Sequence, residues 1–324
     1  MIAYDILILP LLCFFFYYTT FYTSCKAEKA SVAYAILYRI DTSMKVTLIG
    51  GDARMSALSR LFFLSGACAG QVAASAEEGG DPLSAVREAD AVILPLPVSR
   101  DGIHPTAPEG VTPPTLSEIF AAARQDCLFL GGKLTPAVRA TAAAADAEIR
   151  DYYTGEELVR RNAVATAEAA VAMAALDLPV TLAGNHFAIL GAGRIATHVL
   201  TLLRAAGARV SLFARSPAAR ERAAAMGALV YPIEEGRAPA IPSDVRAVFS
   251  TVPACLFPRG SQAPARGTYF YDLGGGAIDA QLAHEAGIIL PPSAGLPGKY
   301  SPESAALYLF DEIRKILTAE GLDT

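Results

Sequence analysis

The sequence lacks the residue patterns that mark metal sites and disulfide frameworks. It has no tryptophan, and neither its four histidines nor its five cysteines show metal-ligand or Cys-x-x-Cys spacing. An odd number of cysteines favours buried thiols in a reducing cytoplasm over a set of disulfides. No metal site is therefore predicted. The cysteines are Cys13, Cys25, Cys68, Cys127 and Cys255.

The chain is also poor in charge. Charged residues make up 18% of the 324 residues, the formal net charge is −5, and no long basic run occurs. Nucleic acid is not an expected partner, because phosphate binding requires clustered Lys and Arg. Hydrophobic residues make up 53% of the chain, which is typical of a globular protein with large cores. The length predicts two domains.

The first 43 residues differ from the remainder. They hold ten of the aromatic residues of the chain, and residues 6–25 carry no charge, a run long enough to cross a bilayer. No basic residue precedes this run and no A-x-A site follows it, so it does not resemble a secretory signal. Met44 stands directly before a good first strand. We interpret residues 1–43 as a start-site artefact of a cytoplasmic protein, with a membrane segment as the alternative that intact-mass measurement would distinguish.

Strands and helices alternate in the sequence from Met44 onward, which predicts a parallel sheet with helices on both faces. A loop rich in Pro and Gly, residues 95–114, leaves the carboxyl end of one strand, where such sheets bind ligands. We therefore predict an N-terminal Rossmann-like substrate domain over residues 44–153. Its predicted elements are strands at Lys45–Ile49, Val72–Ala74, Ala91–Leu94 and Cys127–Leu130, and helices at Ala53–Ser65, Pro82–Glu88, Leu116–Ala123 and Pro136–Ala145.

A long helix at about Gly155–Ala175 is predicted to cross between domains within residues 154–179, and Pro179 marks its end. An NAD(P)-binding Rossmann domain is predicted over residues 180–292. Residues 293–324 contain a last helix that is expected to return to the first domain. The predicted fold is α/β, with two Rossmann-like doubly wound domains, a cleft between them, and the C-terminal helix packing back on the first domain.

The strongest chemical motif is Gly191-Ala-Gly193-Arg-Ile-Ala196, which lies between a predicted strand and a predicted helix. In such a dinucleotide fingerprint the first Gly permits a tight turn and the second lets the backbone approach the pyrophosphate. The small third residue permits close packing of the helix on the strand, and the helix N-terminus attracts the phosphates. The cofactor-binding residues predicted from this motif are Gly191, Gly193, Arg194, Ile195 and Ala196.

The end of the next strand distinguishes the two nicotinamide cofactors. NAD sites usually place an Asp or Glu there, but this chain has Arg215 and Ser216, which suit the 2′-phosphate of NADP. NADP is therefore the predicted cofactor and NAD the alternative, since an exposed loop Arg would look the same. Later strands end at Thr251-Val252-Pro253 and at Asp272, and these four residues are predicted to lie at the nicotinamide end. Sequence does not show whether Gly274-Gly-Gly276 approaches the cofactor or only forms a turn.

These residues resemble the family of the dipicolinate synthase A-subunit, the NAD(P)-binding component of an enzyme of spore-forming bacteria. The resemblance spans nearly everything after Met44 and is most specific in Gly50-Gly-Asp-Ala-Arg54 and Ala294-Gly-Leu-Pro-Gly298. Ala196 departs from the usual Gly of the family, and the sequence after Leu273 differs. The matching stretches are Ile49–Arg54, Ile93–Pro95, the helix positions Asn162, Thr166 and Glu168, Leu190–Ala196, Gly207–Ala208, Ala214–Ser216, Ser250–Pro253, Asp272–Leu273 and Ala294–Gly298.

The resemblance implies the oxidation of dihydrodipicolinate to dipicolinate, with hydride transfer to NAD(P), in the mother-cell cytoplasm during sporulation. It also implies a flavoprotein partner, the B-subunit of the same synthase. The substrate has two carboxylates, for which Arg54, Lys133 and Lys299 are the predicted cations; Asn162 and Thr166 lie in a matching stretch and complete the predicted substrate-binding set. Predicted proton acceptors are Glu168, His104 and Asp52, in no fixed order.

Other interpretations stay open at this point. Each of these charged residues would also fit a solvated surface position, with Arg54 the least so. The chain would also fit another two-domain NAD(P)-dependent dehydrogenase of a 2-hydroxy or 2-amino acid, although no His–Glu or Lys–His pair stands out. A third alternative is a non-catalytic NADP-binding regulatory subunit, which the small set of acid and base residues permits. The sequence does not determine whether the chain forms a homo-oligomer.

Overall fold

The computed structural model describes residues 44–66, 68–72 and 81–322. The predicted leader, residues 1–43, lies outside the described residues. A strand is found at Cys68–Val72, which includes the first residue of the strand predicted at Val72–Ala74, and residues 73 and 74 of that prediction also lie outside the described residues. The first domain comprises five strands and four helices in the described residues: β1 (Lys45–Ile49), α1 (Ala53–Ser65), β2 (Cys68–Val72), α2 (Pro82–Glu88), β3 (Ala91–Ile93), α3 (Leu116–Ala122), β4 (Leu128–Gly131), α4 (Pro136–Ala144) and β5 (Ile149–Asp151).

The strands of the first domain are parallel in the order β2-β1-β3-β4-β5. This is the flavodoxin-like order of a doubly wound sheet, in which the strand order reverses between the first and third strands. β1 and β3 are almost completely buried, as expected for a parallel sheet covered by helices on both faces. Side chains that leave the carboxyl ends of β1 and β3 therefore lie beside the switch point, where such sheets bind ligands.

A long helix carries the chain from the first domain into the second. α5 (Glu156–Asp177) follows a short 3-10 turn at Tyr152–Thr154. Leu158, near its start, belongs to a core cluster of the first domain, whereas Ala167, Ala170 and Met173 pack into a core of the second. The second domain then contains β6 (His186–Leu190), α6 (Arg194–Ala205), β7 (Arg209–Ala214), α7 (Pro217–Ala225), β8 (Leu229–Pro232), β9 (Val245–Ser250), β10 (Tyr269–Asp272) and α8 (Ala280–Ala286).

The second sheet is also parallel, in the order β10-β9-β6-β7-β8. Its first strand, β6, lies at the centre, with the next two strands on one side and the last two on the other, which is the arrangement of a dinucleotide-binding half. The switch point lies between β6 and β9. α7, β8 and α8 were not predicted from the sequence. β8 is an edge strand whose residues are mostly exposed, so it lacks the buried apolar run that would have indicated a strand.

The chain returns to the first domain through α9 (Leu296–Tyr300) and α10 (Pro302–Ala319). Phe310 of α10 is fully buried and packs edge-on against Phe62 of α1, with ring centroids 5.1 Å apart. Asp311 pairs with Arg161 of α5 over 2.8 Å. Two doubly wound parallel sheets and the returning C-terminal helix confirm the predicted fold class.

No helix within the described ranges is long and apolar enough to cross a membrane.

Candidate functional site

The loop between β6 and α6 is shaped by two glycines that serve different purposes. Gly191 has a φ of +102°, and a Cβ there would lie 2.4 Å from Oγ1 of Thr251. The Thr251 N–H and hydroxyl both donate to the Leu190 carbonyl, over 2.9 and 3.0 Å. Thr251 is thereby held against Gly191, which leaves no room for a side chain. The first glycine is required by the left-handed turn and by this neighbour.

Gly193 begins α6 and leaves the helix N-terminus open. It is the N-cap residue, no side chain caps the helix, and a Cβ at Gly193 would meet no atom within 4 Å. The first N–H groups of a helix have no partner inside it and carry the positive end of the helix dipole. Open space beside uncapped amides fits a pyrophosphate group. Ala196 is fully buried and lets α6 pack closely on the sheet.

A cavity of about 740 Å³ extends from this loop along the carboxyl edge of the second sheet. A volume of this order suits a cofactor-sized ligand. Seven of the predicted cofactor residues line it: Gly191, Gly193, Arg215, Ser216, Thr251, Val252 and Pro253. The structure thus brings both glycines, the end of β7 and the loop after β9 to one cavity.

Sequence reasoning missed one wall of this cavity. Residues 233–238, which follow β8, line it together with Ala254, Cys255 and Leu256. Glu234 and Arg237 in this wall form an ion pair over 3.3 Å. The signal that could have revealed the wall is a loop at the carboxyl end of a parallel strand, but that strand itself was not predicted.

Arg215 and Ser216 stand at the end of β7, and both are exposed. The Ser216 hydroxyl caps α7, since its Oγ accepts the Ala219 N–H over 3.3 Å. Nη1 of Arg220 donates to the carbonyls of Ala214 and Arg215, over 2.8 and 2.7 Å. The backbone at this strand end is thereby held in place, while the Arg215 side chain makes no hydrogen bond in the described part of the chain.

The remaining predicted cofactor residues do not line the cavity. Arg194 reaches across to Glu156 at the start of α5, with Nη2–Oε distances of 2.6 and 2.7 Å. Ile195 and Ala196 pack into the core of the second domain. The Asp272 carboxylate turns back on its own loop and accepts the N–H groups of Gly275 and Ala277 over 3.0 and 2.9 Å.

Gly274 has a packing function that the sequence did not show. A Cβ on Gly274 would lie between 2.6 and 2.9 Å from the backbone atoms of Val252. The loops after β9 and β10 therefore touch backbone to backbone. Because Val252 lines the cavity, Gly274 supports the cavity wall from behind.

Arg54 and Asp52 form a close pair at the carboxyl end of β1. Arg54 is only 8% exposed, and its Nε and Nη2 each lie 2.8 Å from an Asp52 carboxylate oxygen. Nη2 also donates to the Leu96 carbonyl over 2.7 Å. Burial opposes the charge, but Asp52 outweighs it, so the pKa of Arg54 lies above its ordinary value. The predicted cation therefore pairs with the predicted base, and Nε and Nη2 form the hydrogen bonds of the guanidinium to Asp52 and Leu96.

The Gly50–Arg54 and Ala294–Gly298 motifs meet in space. A Cβ on Gly298 would lie 2.3 Å from Oδ2 of Asp52. The carboxylate therefore lies directly against the backbone of α9, the segment that returns from the second domain. The contact places two motifs that are distant in the sequence side by side.

A second group of polar side chains gathers at the carboxyl ends of β4 and β5. Nζ of Lys133 lies 5.2 Å from the ring centroid of Tyr153. Nδ2 of Asn162 donates to the Tyr153 hydroxyl over 3.0 Å. The structure thus brings the predicted residues Lys133 and Asn162 to one tyrosine, which the sequence reasoning did not include. The two domains meet here, because Arg194 of α6 pairs with Glu156, three residues after Tyr153.

The other predicted residues lie apart from this group. The Thr166 hydroxyl donates to the Asn162 carbonyl of its own helix over 2.7 Å. Glu168 and Lys299 are exposed. In the loop after β3, Nδ1 of His104 lies 2.9 Å from Oδ2 of Asp101. Bonds from His104, from its backbone and its ring, hold the pKa of Asp101 well below its usual range, so the carboxylate stays charged beside the ring.

Comparison with known proteins agrees with this architecture. The family model that describes the N-terminal domain of the dipicolinate synthase A-subunit matches residues 45–153. The A-subunit of dipicolinate synthase from Bacillus subtilis is 25% identical over 302 residues, which cover 85% of this chain and 96% of that protein. The crystal structure of the corresponding protein from Bacillus halodurans superposes with a TM-score of 0.73 at 23% identity, covering 85% of this chain and 99% of the other.

The fold extends to more distant dehydrogenases. The apo-structure of D-lactate dehydrogenase from Escherichia coli superposes with a TM-score of 0.56 at 13% identity, covering 87% of this chain and 98% of the other. At such low identity the likeness shows a shared two-domain fold. The resemblance noted in the sequence is confirmed: the chain is similar to the dipicolinate synthase A-subunit over most of its length, and residues 45–153 match the family model of that subunit's N-terminal domain.

Proposed function

We propose that this chain oxidises dihydrodipicolinate to dipicolinate with NADP as the hydride acceptor. It would act as the A-subunit of a two-component synthase, beside a flavoprotein B-subunit, in the mother-cell cytoplasm during sporulation. The observation that carries the proposal is the open helix N-terminus at Gly193, which faces a cavity of about 740 Å³. The ion pair between Arg194 and Glu156 connects this loop to the polar group around Tyr153. Tyr153 lies in the stretch that matches the family model.

The reaction removes one hydrogen of the substrate as hydride and another as a proton, and it leaves an aromatic ring. A bound nicotinamide ring would supply the carbon that accepts the hydride. The chain itself has to bind two carboxylates, orient the ring and accept one proton. Because aromatisation favours the products, positioning is the main catalytic requirement.

His104 is the residue that the geometry favours as proton acceptor. Its Nδ1 is bound to the Asp101 carboxylate, which orients the ring, and Nε2 makes no hydrogen bond to the residues that the structure describes. Both carboxylate oxygens of Asp52 already accept hydrogen bonds from Arg54, so this carboxylate is engaged by a neighbour. The Glu168 carboxylate is exposed on α5, and no hydrogen bond orients it in the described part of the chain. The assignment of His104 remains a proposal.

The proposed preference for NADP is supported by Arg215 at the end of β7. Its exposed guanidinium lines the cavity, where a 2′-phosphate would accept charge-assisted hydrogen bonds. Arg215→Ala is expected to weaken NADP binding about 10- to 100-fold and to leave NAD binding unchanged. Arg222→Ala is the matched control, because it removes the same charge from α7 outside the cavity. Tighter binding of NAD than of NADP by the wild-type protein would contradict the preference.

A 2-hydroxy acid dehydrogenase is the alternative that the fold permits. Such enzymes usually carry a His paired with a carboxylate in the cleft. Here His186 pairs with Asp244 over 3.0 Å at the start of β6, on the edge opposite the cavity, and Nε2 of His186 lies 2.8 Å from Oγ of Ser211. This pair is structural, so it does not favour the alternative.

One assay separates the candidate functions. The purified full chain is given dihydrodipicolinate and NADP, with and without the flavoprotein partner, and dipicolinate is measured by its ultraviolet absorbance. Product formed by this chain alone supports the proposed function. Product formed only with the partner assigns the chain a shared site, and NADP binding without product in either mixture would indicate a regulatory role.

A further inference from the structure

Two adjacent tyrosines at the end of β5 use their hydroxyl protons differently. Tyr152 is fully buried, and its hydroxyl donates to the Leu94 carbonyl over 2.9 Å. A Cβ on Gly132 would lie only 2.6 Å from the Tyr152 ring, so the ring is tightly enclosed. The hydroxyl proton of Tyr152 is therefore used in a hydrogen bond inside the first domain.

Tyr153 is half-buried and has an unused proton. Nδ2 of Asn162 donates to its hydroxyl oxygen over 3.0 Å. An amide NH2 group is only a donor, so the phenol accepts this bond. Among the residues that the structure describes, no acceptor lies within hydrogen-bonding distance of the phenol's own proton. Asn162 thus orients the hydroxyl and leaves it able to donate to a ligand.

A cation lies over the Tyr153 ring. Nζ of Lys133 lies 5.2 Å from the ring centroid, and the Lys133 backbone is held by its N–H bond to the Asp151 carboxylate over 3.1 Å. Burial raises the pKa of Tyr153, although the Asn162 bond and the charges of Arg54 and Arg194 lower it. The phenol therefore stays protonated at neutral pH and remains a donor.

The carboxylates near this group are already bound. Asp52 pairs with Arg54, and Glu156 pairs with Arg194. Asp151 accepts backbone N–H groups from Lys133, Leu134 and Tyr153, over 2.9 to 3.1 Å. The group around Tyr153 therefore has hydrogen-bond donors that are not used within the protein. On the described residues of its own loops, every carboxylate already has a partner. Such a surplus favours an anionic ligand.

We propose that Tyr153 is a substrate-binding residue that donates a hydrogen bond to one carboxylate of a planar ring dicarboxylate. Lys133 provides the opposite charge, and Asn162 is the positioning residue that turns the hydroxyl toward the ligand. The class of ligand follows from these donors, whereas its identity as dihydrodipicolinate rests on the proposed function. The site lies beside the dinucleotide loop, because Glu156, three residues away, bonds Arg194 next to Gly193.

The test uses dipicolinate, the stable product, and the full chain loaded with NADPH. Calorimetry is expected to show that Tyr153→Phe weakens dipicolinate binding about 10- to 100-fold, because a hydroxyl-to-carboxylate bond is lost in a partly buried site. NADPH affinity should not change. Tyr152→Phe is the matched control: it removes a structural hydroxyl one residue away, and should lower the melting temperature but keep dipicolinate affinity.

Asn162→Asp tests the direction of the hydrogen bond. A carboxylate at this position would accept the Tyr153 proton and repel the ligand, so dipicolinate affinity should fall at least as far as in Tyr153→Phe. Equal dipicolinate affinity of wild type and Tyr153→Phe would overturn the inference and leave the proposed function intact. A wild type that binds NADPH but no dipicolinate, with or without the flavoprotein partner, would overturn the proposed function and this inference with it.

Discussion

The first strand-to-helix loops of the two domains occupy the same place beside a switch point, but they treat the following helix in opposite ways. In the second domain, Gly193 begins α6, no side chain caps the helix, and the space for a Cβ is empty. In the first domain, Asp52 begins α1, and its Oδ1 accepts the Arg54 N–H over 3.0 Å. The N-terminus of α6 is open to an anion, whereas the N-terminus of α1 already has the Asp52 carboxylate bound to it.

The difference lies in the N-cap residue, because Gly193 leaves its helix N-terminus uncapped and Asp52 caps its own. The helix dipole attracts negative charge at both loops. A carboxylate at Asp52 satisfies that attraction internally and also neutralises buried Arg54, whereas Gly193 leaves it for a ligand. This difference supports our proposal that the second domain binds the dinucleotide and the first domain the substrate.

We expect the largest effect, on NADP affinity, from giving α6 of the second domain the aspartate N-cap that α1 has in the first domain. Gly193→Asp should weaken NADP binding 100-fold or more, because two like charges about 4 Å apart repel by roughly 4 kcal/mol at an effective dielectric constant of about 20. Gly193→Asn fills the same space without the charge and should lose much less affinity. The measurement is fluorescence titration with NADPH. Equal losses in both variants would attribute the effect to size and not to charge.

A second substitution tests the capped N-terminus of α1 in the first domain. Asp52→Asn keeps a good N-cap but removes the charge that pairs with Arg54, and should lower the free energy of unfolding by about 2 kcal/mol. This figure is below that for a fully buried pair because the Asp52 side chain is 40% exposed. Asp81→Asn is the matched control, since Asp81 caps α2 without a buried partner. Chemical denaturation measures both, and equal effects would contradict the assigned importance of the pair.

We expect a smaller difference between the two domains in the rate at which their cysteines react with a thiol reagent. Cys255 is exposed and lines the dinucleotide cavity, whereas Cys127 is buried in the first domain. Burial raises the pKa of Cys127 to about 12, so it should react slowly at pH 8. NADP at ten times its dissociation constant should slow labelling of Cys255 about tenfold. Peptide mass mapping measures each site, and unprotected Cys255 would place the cofactor elsewhere.

Much of the fold could be predicted because its signals are local. The helix Ala53–Ser65 and the helix start at Pro82 agree with the structure, since each begins after an Asp that caps it and carries a regular pattern. β5 and β8 could not be predicted, because none of the three residues of β5 is buried and β8 is mostly exposed, so neither carries a buried apolar run. Tyr153 follows β5, and residues 233–238, which line the cavity, follow β8. Because neither strand was predicted, the loops that follow them were not considered as parts of a site.

The sequence by itself determined the two domains, the glycine loop and the resemblance to a family, since these depend on spacing along the chain. Only the tertiary structure decided how the side chains are used. It showed that Arg54 is bound by Asp52, that Arg194 joins Glu156, and that Asn162 and Lys133 meet at Tyr153. Such pairings join elements far apart in the chain, and their partners are set by strand order and helix packing. No local pattern contains that information.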